Sequence, residues 1–385
     1  MTDTGTTARE VTHVQLPSGE LSLDLRKNSG WSLGDLLGFG VRRNPRRGYL
    51  LVSKVLGKHV PVSPRTVQTA HRALAVQIPA GLTGPLLFIG LAETATALGE
   101  GVAREWADHT GRSDFTFLHS TRYRQRGPLA LEFQEPHSHA SGHLVYRPVS
   151  QGGQRHFDHA CTLVLIDDEL STGTTLENLA RAYSALNPAL EQVLLVSLTD
   201  LCPRHGELQD ALGLPILSIS LLRGELSFTP DPAYDPPILP VVAGNGADKT
   251  DILAPFSARS GQDASQSPHM TAALERLLQT PPGRSVLVLG TGEFQYLPYL
   301  LALRLEQARP DLRVSNSATT RSPVMVWGQI EHALEFADNY RDGVPNFVYN
   351  VAPGQYDQVW ICHEGQATPD EGLLEALNAT AVRLA

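Results

Sequence analysis

Cysteine and long apolar runs are scarce in this sequence, and its first residues lack a secretion signal. The three cysteines, Cys161, Cys202 and Cys362, lie far apart and without CxxC spacing. That usage argues against a disulfide framework and fits small buried side chains in a reducing cytoplasm. The start MTDTGTTAREVTHV has no basic segment followed by an apolar block, and runs such as LLFIGLA are too short to span a bilayer. We therefore predict a cytoplasmic protein without a membrane segment.

An excess of positive charge is missing as well. The 40 acidic residues outnumber the 31 lysines and arginines, and the formal net charge of −9 argues against general nucleic-acid binding. The chain has 385 residues, of which 42% are hydrophobic and 18% charged. This length and composition predict two domains with ordinary globular cores.

Short apolar, β-rich segments alternate with helical patterns, which predicts a parallel sheet covered by helices on both faces. The predicted strands are YLLVS (49–53), PLLFIG (85–90), FTFLH (115–119), TLVLI (162–166), VLLVSL (193–198) and PILSISLL (215–222). Between two of them, Leu176, Leu179, Ala180 and Tyr183 have the i, i+3, i+4, i+7 spacing of one helical face.

A proline-rich stretch divides the chain into two α/β units. Residues 229–267 contain many prolines and small polar residues, and we interpret them as a linker or long surface connection. After it, RSVLVLGTGEFQYLPYLLALRLEQ has the pattern of strand, glycine turn and helix, and LRVSNSA and YDQVWICH are further strands. The predicted organisation is an N-terminal extension (1–35), a first domain (36–228), the linker and a smaller domain (268–385).

The segment TLVLIDDELSTGTTLENL combines an apolar strand, two adjacent acids and a loop of small hydroxyl residues that leads into a helix. In parallel sheets, ligands bind at the carboxyl ends of strands. The loop offers backbone N–H groups and a helix N-terminus that suit a dianionic phosphate, and Gly173 lets the backbone close around it. Asp167 and Asp168 are then placed to accept hydrogen bonds from sugar hydroxyls or to hold Mg²⁺. A Walker A loop is excluded because its lysine is missing.

The same segment resembles the PRPP (5-phosphoribosyl 1-diphosphate) loop of type I phosphoribosyltransferases, with every position of the pattern filled. The resemblance implies a parallel sheet flanked by helices, with a hood over the site. It also implies that Asp167 and Asp168 contact the ribose hydroxyls and Mg²⁺. The 5′-phosphate would be held by Ser171, Thr172, Gly173, Thr174 and Thr175. A plain acidic strand end with a helix-capping loop is the alternative.

Such an enzyme also needs groups for the diphosphate. The strand that ends at Gly90 opens into a loop whose residues Glu93, Thr94 and Ala95 offer backbone N–H groups, although an N-capped helix start explains this stretch equally well. In the predicted hood (119–159), Arg122, Arg124 and Arg126 are candidates for stabilising the leaving diphosphate. The alternative is a solvated edge strand. We predict Asp167, Asp168, Arg122 and Arg124 as the catalytic residues.

Two further features of the first domain are less specific. His137, His139 and His143 lie close together in the hood, but no cysteine or carboxylate completes a metal site, so a base-contact or proton-transfer role is favoured. A basic run precedes the core, with six basic residues and no acid from Leu36 to Lys58. Its arginines fit a solubilising loop. Lys54 and Lys58 are better candidates for the phosphate-rich site, or for the site of a partner protomer in a homodimer.

NPRRGYLLVSKVLGKHVP, GLAETATALG, EPHSHA and LIDDELSTGTT together resemble the phosphoribosyltransferase of bacterial tellurite-resistance (Ter) gene clusters. In that family the C-terminal domain is named for a tetrad, which stands here as Thr320-Arg321-Ser322-Pro323. The resemblance covers about residues 40–385 and implies a stress-response enzyme with a Rossmann-like second domain. In that domain, a ligand site is predicted at Gly290, Gly292, Glu293, Thr320, Arg321 and Ser322. A packing turn and an exposed arginine at a strand end are the alternatives.

Three functions remain open at this stage. The leading hypothesis is an enzyme that uses PRPP and Mg²⁺ and transfers a phosphoribosyl group to or from a nucleobase-like acceptor. A protein of this fold that senses PRPP or a nucleotide without turnover is the second, and a scaffold without PRPP affinity is the third. The substrates in the first two cases are small molecules.

Overall fold

The computed structural model describes residues 9–26, 30–42, 47–134, 142–235, 248–254, 257–263 and 270–385. His137 and His139, part of the basic run (43–46) and part of the predicted linker lie outside these ranges. Within them, no helix is long and apolar enough to cross a membrane.

The strands and helices follow one another in this order: β1 (Arg9–Leu16), β2 (Gly19–Arg26), α1 (Leu33–Leu36), β3 (Leu37–Arg42), β4 (Tyr49–Ser53), α2 (Pro64–Ala75), β5 (Leu86–Gly90), α3 (Thr96–Thr110), β6 (Phe115–His119), β7 (Leu129–Gln134), β8 (Gly142–Tyr146), α4 (Gln151–His159), β9 (Thr162–Leu170), α5 (Thr174–Leu186), β10 (Gln192–Asp200), α6 (His205–Leu212), β11 (Ile216–Pro230), β12 (Gln262–Asp263), α7 (Thr271–Leu278), β13 (Ser285–Gly290), α8 (Tyr296–Ala308), β14 (Arg313–Ala318), β15 (Val324–Met325), β16 (Ala333–Phe336), β17 (Asn346–Tyr349), β18 (Gln358–His363), α9 (Glu371–Leu377) and β19 (Ala379–Arg383).

The main sheet has the order β1-β2-β11-β10-β9-β5-β6-β12, and its five central strands are parallel. Side chains alternate between its faces, as the strand period of two requires. Leu86 and Phe88 join the core beneath α2 and α3, whereas Leu87 and Ile89 join the core beneath α4 and α5. This confirms the predicted parallel sheet with helices on both faces.

A smaller parallel sheet follows, in the order β14-β13-β18-β19. Helices α7 and α8 cover one face around Leu277, Leu301 and Val288, and α9 covers the other around Leu373. The second α/β unit is therefore confirmed as well.

The segment YLLVS forms the predicted strand β4, but the prediction that it belongs to the parallel sheet is wrong. It pairs antiparallel with β3, and β3 pairs antiparallel with β15 of the second unit. Leu50 and Val52 are buried against Val324, Ile330 and Phe347. The second unit covers this face of the strand, while Tyr49 and Leu51 on the other face join the core of the first domain.

Residues 257–263 are also not the surface connection that their composition predicts. Gln262 and Asp263 pair with β6 at the edge of the main sheet. Arg259, in a short 3₁₀ turn just before, is 1% exposed. This part of the chain is packed between the two α/β units.

Candidate functional site

The main sheet has a topological switch point between β5 and β9. From β5 the chain continues through α3 to β6 on one side, and from β9 it continues through α5 to β10 on the other. The two helices pack on opposite faces, as Val102 of α3 and Leu179 of α5 show. The loops that follow β5 and β9 therefore flank a crevice at the carboxyl edge, which is where open α/β sheets bind their ligands.

Strand β9 extends beyond its neighbour on this edge. The pairing with β5 ends at Gly90 opposite Ile166, whereas the pairing with β10 continues past Asp167 to Leu170. The predicted acid pair consequently lies inside the strand rather than after it. On the β5 side the pair borders the crevice, because β5 has already turned away into its loop.

The two acids are half-buried, so ionisation of both carboxyl groups is energetically unfavourable. The Asp168 amide donates to Asp167 Oδ1 at 3.0 Å. Burial and the neighbouring Glu169 raise the pKa of Asp168, and Lys58 and Arg42 only partly oppose this. A cation or hydroxyl donors placed here would stabilise the ionised form. The arrangement thus fits both roles that the sequence predicts for these carboxylates.

Arg47, which the sequence analysis interprets as part of a solubilising loop, lies at this site. Its guanidinium is 2.5 Å from Glu169 Oε1 and stacks over Tyr49 at 5.1 Å. The Glu169 charge raises the pKa of Arg47 above its already high value. Only a contact across 122 positions brings the two side chains together, and such a contact leaves no local signal in the sequence.

The loop after β9 has the geometry predicted for an anion cradle. Gly173 precedes α5 with φ of 75°, and no side chain caps the helix start. The Thr174 amide reaches Thr172 Oγ1 only at 3.4 Å. Ser171 and Thr175 are half-buried and Thr172 is exposed. Amides and hydroxyls at an uncapped helix N-terminus suit a phosphate.

We expect Gly173→Ala to destabilise the protein by about 1–2 kcal/mol, because the left-handed conformation is unfavourable for alanine. The added methyl group would also lie 2.7 Å from Leu208 Cδ1. Denaturant unfolding measures the effect. Gly206→Ala in α6 is the matched control, since nothing lies within 4 Å of its new methyl group. Equal stability of the two variants would contradict the requirement for glycine.

The loop after β5 is held by neighbouring strands and by charge. The Ala92 amide donates to Ser120 Oγ at 2.9 Å, and Glu93 pairs with Lys58 at 2.6 Å. The peptide bond between Ala92 and Glu93 is cis. The Ala95 amide donates to Leu91 O at 2.9 Å, so its predicted use as a diphosphate donor does not hold. Glu93 and the half-buried Thr94 remain candidates for that role.

The hood is a hairpin of β7 and β8, and its predicted arginines have protein partners. Arg122 donates its backbone amide to Glu293 Oε1 at 2.8 Å. Arg124 is half-exposed and lies 3.6 Å from Glu132, also in the hood. Arg126 is exposed and lies 4.0 Å from Asp251. The structure therefore does not place Arg124 or Arg126 against the two loops.

His143 belongs to strand β8 of the hood and is buried. Its Nδ1 lies 2.9 Å from Ser120 Oγ, and its ring stacks on Phe133. The described residues contain no group of three or more His, Cys, Asp or Glu side chains placed to hold a metal ion. A structural role in the hood explains this histidine.

Lys54 lies away from the phosphate loops, contrary to prediction. Its Nζ donates to Gly34 O at 3.0 Å. It lines a surface groove of about 490 Å³ between the β1–β2 hairpin, β3 and Trp327. Four residues further on, Lys58 is the lysine that reaches the site.

The predicted ligand residues of the second domain bind protein groups instead. Gly290 is a packing position, since a methyl group there would lie 2.4 Å from Phe294 O. The Gly292 amide donates to Thr319 Oγ1 at 3.0 Å. Thr121 Oγ1 donates to Glu293 at 2.6 Å. The Ser322 amide donates to Thr320 Oγ1 at 3.2 Å.

The carboxyl edges of the two sheets thus face each other. Glu293 follows β13, the TRSP tetrad follows β14 and Glu364 follows β18. Glu293 contacts Thr121, just after β6, and Arg321 of the tetrad contacts Glu93, just after β5. Arg259 lies between them, 2.9 Å from Glu293 and bidentate to Glu364 at 2.8 Å. No sequence pattern indicates this arginine's role, because its neighbours along the chain are typical of a linker.

Family comparisons agree with this two-domain architecture. A family model described as "Phosphoribosyl transferase" matches residues 36–225, and one for the TRSP domain that lies C-terminal to that transferase matches residues 256–377. The first domain therefore has the fold of the type I phosphoribosyltransferases. The chain belongs to the family in which this phosphoribosyl transferase domain is followed by a TRSP domain.

Solved structures show lower similarity. Adenine phosphoribosyltransferase from Trypanosoma brucei, in complex with AMP, pyrophosphate and ribose-5-phosphate, is 16% identical over 54% of this chain and 86% of that one (TM-score 0.33). The enzyme from Giardia lamblia, in complex with 9-deazaadenine, is 16% identical over 42% of this chain and 81% of that one (TM-score 0.29). The enzyme from Rhodothermus marinus is 15% identical over 50% of this chain and 96% of that one (TM-score 0.32). Likeness at this level transfers neither a ligand nor an activity. A search of curated proteins finds no match.

Proposed function

We propose that this protein is a phosphoribosyltransferase enzyme that binds PRPP and transfers its phosphoribosyl group to a nucleobase-like acceptor, or runs the same reaction in reverse. The observation that carries the proposal is the switch point between β5 and β9. There, two half-buried acids, an uncapped helix start and a cation-lined loop border one crevice. A diol, a phosphate and a diphosphate are the groups that such a set of residues would recognise together.

Each part of PRPP has a proposed partner. Asp167 and Asp168 accept hydrogen bonds from the ribose hydroxyls. The loop from Ser171 to Thr175 binds the 5′-phosphate, and the loop with Glu93 and Thr94 binds the diphosphate. The anomeric C–O bond breaks and its electron pair leaves with the diphosphate, while a nitrogen of the base forms the new bond to that carbon. Positioning and charge stabilisation suffice, so the site needs no covalent nucleophile.

Magnesium fits the chemistry of the proposed site. It prefers oxygen ligands and commonly uses one or two carboxylates together with substrate phosphates. Asp167 and Asp168 would hold it, since burial and then the neighbouring Glu169 raise the pKa of Asp168, and a bound cation would offset both effects. When bound, magnesium would neutralise part of the diphosphate charge.

The test is release of diphosphate from PRPP with a panel of free bases, together with the reverse reaction from nucleotides and diphosphate. We expect turnover with at least one base or nucleotide. Tight PRPP binding without any turnover would refute the enzyme and favour the non-catalytic sensor. Absence of PRPP affinity would leave only the scaffold. The place in a tellurite-resistance stress response and the homodimer stay predictions from the sequence.

A further inference from the structure

The side chain of Glu93 is held jointly by the two domains. It belongs to the loop after β5, and its Oε1 lies 2.6 Å from Lys58 Nζ of the same domain. Its Oε2 lies 3.5 Å from Arg321 Nε of the second domain. The Thr320 side chain lies close enough to lower the pKa of the same carboxyl group as well. Two consecutive residues of the TRSP tetrad therefore contact one carboxylate of the first domain.

The backbone of the same residue is held from the second domain as well. Gln295, just after the glycine turn that follows β13, donates its Nε2 to Glu93 O at 3.0 Å. The same nitrogen donates to Gly292 O at 2.6 Å, which fixes the amide in place. Both second-domain segments that were predicted to bind a ligand thus converge on Glu93.

Arg321 is itself fixed in position. It lies 3.6 Å from Asp342, which in turn pairs with Lys249 at 2.6 Å. Its guanidinium stacks over the Tyr123 ring at 5.3 Å. The side chain is only 12% exposed, so it cannot easily turn away toward solvent. Its positive charge is therefore held next to the loop that follows β5.

Without these cations, Glu93 would oppose any anion bound to the loop. Burial alone would raise the pKa of Glu93, but Lys58 and Arg321 together lower it to about 2. The carboxylate is consequently ionised at neutral pH, and an adjacent diphosphate would meet like charge unless a cation lies between or beside them. Lys58 and Arg321 are the cations that the structure supplies.

We propose that the TRSP tetrad is a positioning element of the diphosphate site in the first domain. Arg321 and Thr320 neutralise and orient Glu93, so that the loop from residue 91 to 96 accepts the diphosphate of PRPP or free diphosphate. The tetrad has no separate ligand in this arrangement. The inference rests on the proposed function, because it assigns a partner to the diphosphate loop.

The test is Arg321→Met, with binding of two ligands measured by calorimetry. Inorganic diphosphate probes the loop, whereas ribose 5-phosphate engages only the acid pair and the phosphate loop. We expect the dissociation constant for diphosphate to rise about tenfold or more, as for loss of a charged hydrogen-bonding partner. The constant for ribose 5-phosphate should stay within about twofold of the wild-type value. Arg276→Met is the matched control, because Arg276 also stacks on an aromatic ring of the second domain, Trp360.

A double-mutant cycle with Glu93→Gln separates positioning from general stability. If Arg321 acts through the Glu93 charge, Arg321→Met should cost little diphosphate affinity once Glu93 is neutral. An undiminished loss in that background would overturn the proposal, and so would equal weakening of both ligands. If Arg321→Met fails to fold, Thr320→Val must show the same selective loss for diphosphate, and its failure to do so overturns the proposal.

The wild-type protein distinguishes this inference from the proposed function. If it binds neither diphosphate nor PRPP, both fail. If it binds them and Arg321→Met binds diphosphate equally well, the positioning role alone is wrong.

Discussion

Asp167→Asn/Asp168→Asn is expected to lower the turnover of PRPP by about 100-fold or more, the scale seen when a preorganised electrostatic group is lost. The amides keep the shape of the carboxylates, but they cannot attract Mg²⁺ and accept fewer hydrogen bonds from a ribose diol. Steady-state release of diphosphate measures the loss. Asp210→Asn, at an exposed position of α6, is the control and should retain full activity.

The same substitutions should leave the fold intact. Burial and Glu169 raise the pKa of Asp168 above its usual 3.8, so its ionised form destabilises the folded state at neutral pH. When the pKa of a carboxyl group is higher in the folded protein than in the unfolded chain, its contribution to stability is fully present at pH below the unfolded-chain pKa. That contribution is lost as the pH rises through the pKa of the folded protein. Asp168→Asn should therefore be at least as stable as wild type at pH 7, with the difference vanishing below about pH 4. A large drop in unfolding temperature would show that the acids serve the fold rather than a ligand.

Local patterns predicted most of the fold. The strand from Phe115 to His119 and the buried face of α5 with Leu179 and Tyr183 lie where the sequence places them. Their signals are short-range, because apolar runs, turns and helical spacing repeat along the chain. The acid pair and Gly173 were predicted as site residues from the same kind of short-range signal.

Contacts between distant parts of the chain could not be predicted. Arg259 meets partners 34 and 105 positions away, Glu293 and Glu364, and no periodic pattern marks such pairs. Lys54 and Lys58 are equally basic in the sequence, but only the second points into the site, because the chain turns between them. The sequence predicted a second α/β unit, which the fold confirms, but the docking of this unit onto the first was not foreseen.

Arg259→Met is expected to have the largest effect on stability. The guanidinium is 1% exposed between two fully buried carboxylates, Glu293 and Glu364. Removing it leaves both charges without their cation, which typically costs about 3–5 kcal/mol. For domains of this size that corresponds to roughly 10 °C in unfolding temperature. Arg259→Lys should recover little of it, because an ammonium cannot reproduce the bidentate contact with Glu364.

The pH dependence of Arg259→Met provides the decisive check. In the wild type, burial opposes ionisation of Glu293, but Arg259 lowers its pKa below 4.5. The stability that this pair contributes is present at pH above the Glu293 pKa of the unfolded chain. It is lost as the pH falls through the lower Glu293 pKa of the folded protein. In the variant, burial without the cation should raise this pKa instead, so that the stability deficit is largest near pH 7 and shrinks below about pH 4.5. Thermal unfolding at several pH values measures this trend, with Arg284→Met at the exposed Arg284–Asp357 pair as the control that should match the wild type throughout. A deficit independent of pH would mean that lost packing, rather than two uncompensated carboxylates, explains the role of Arg259 between the domains.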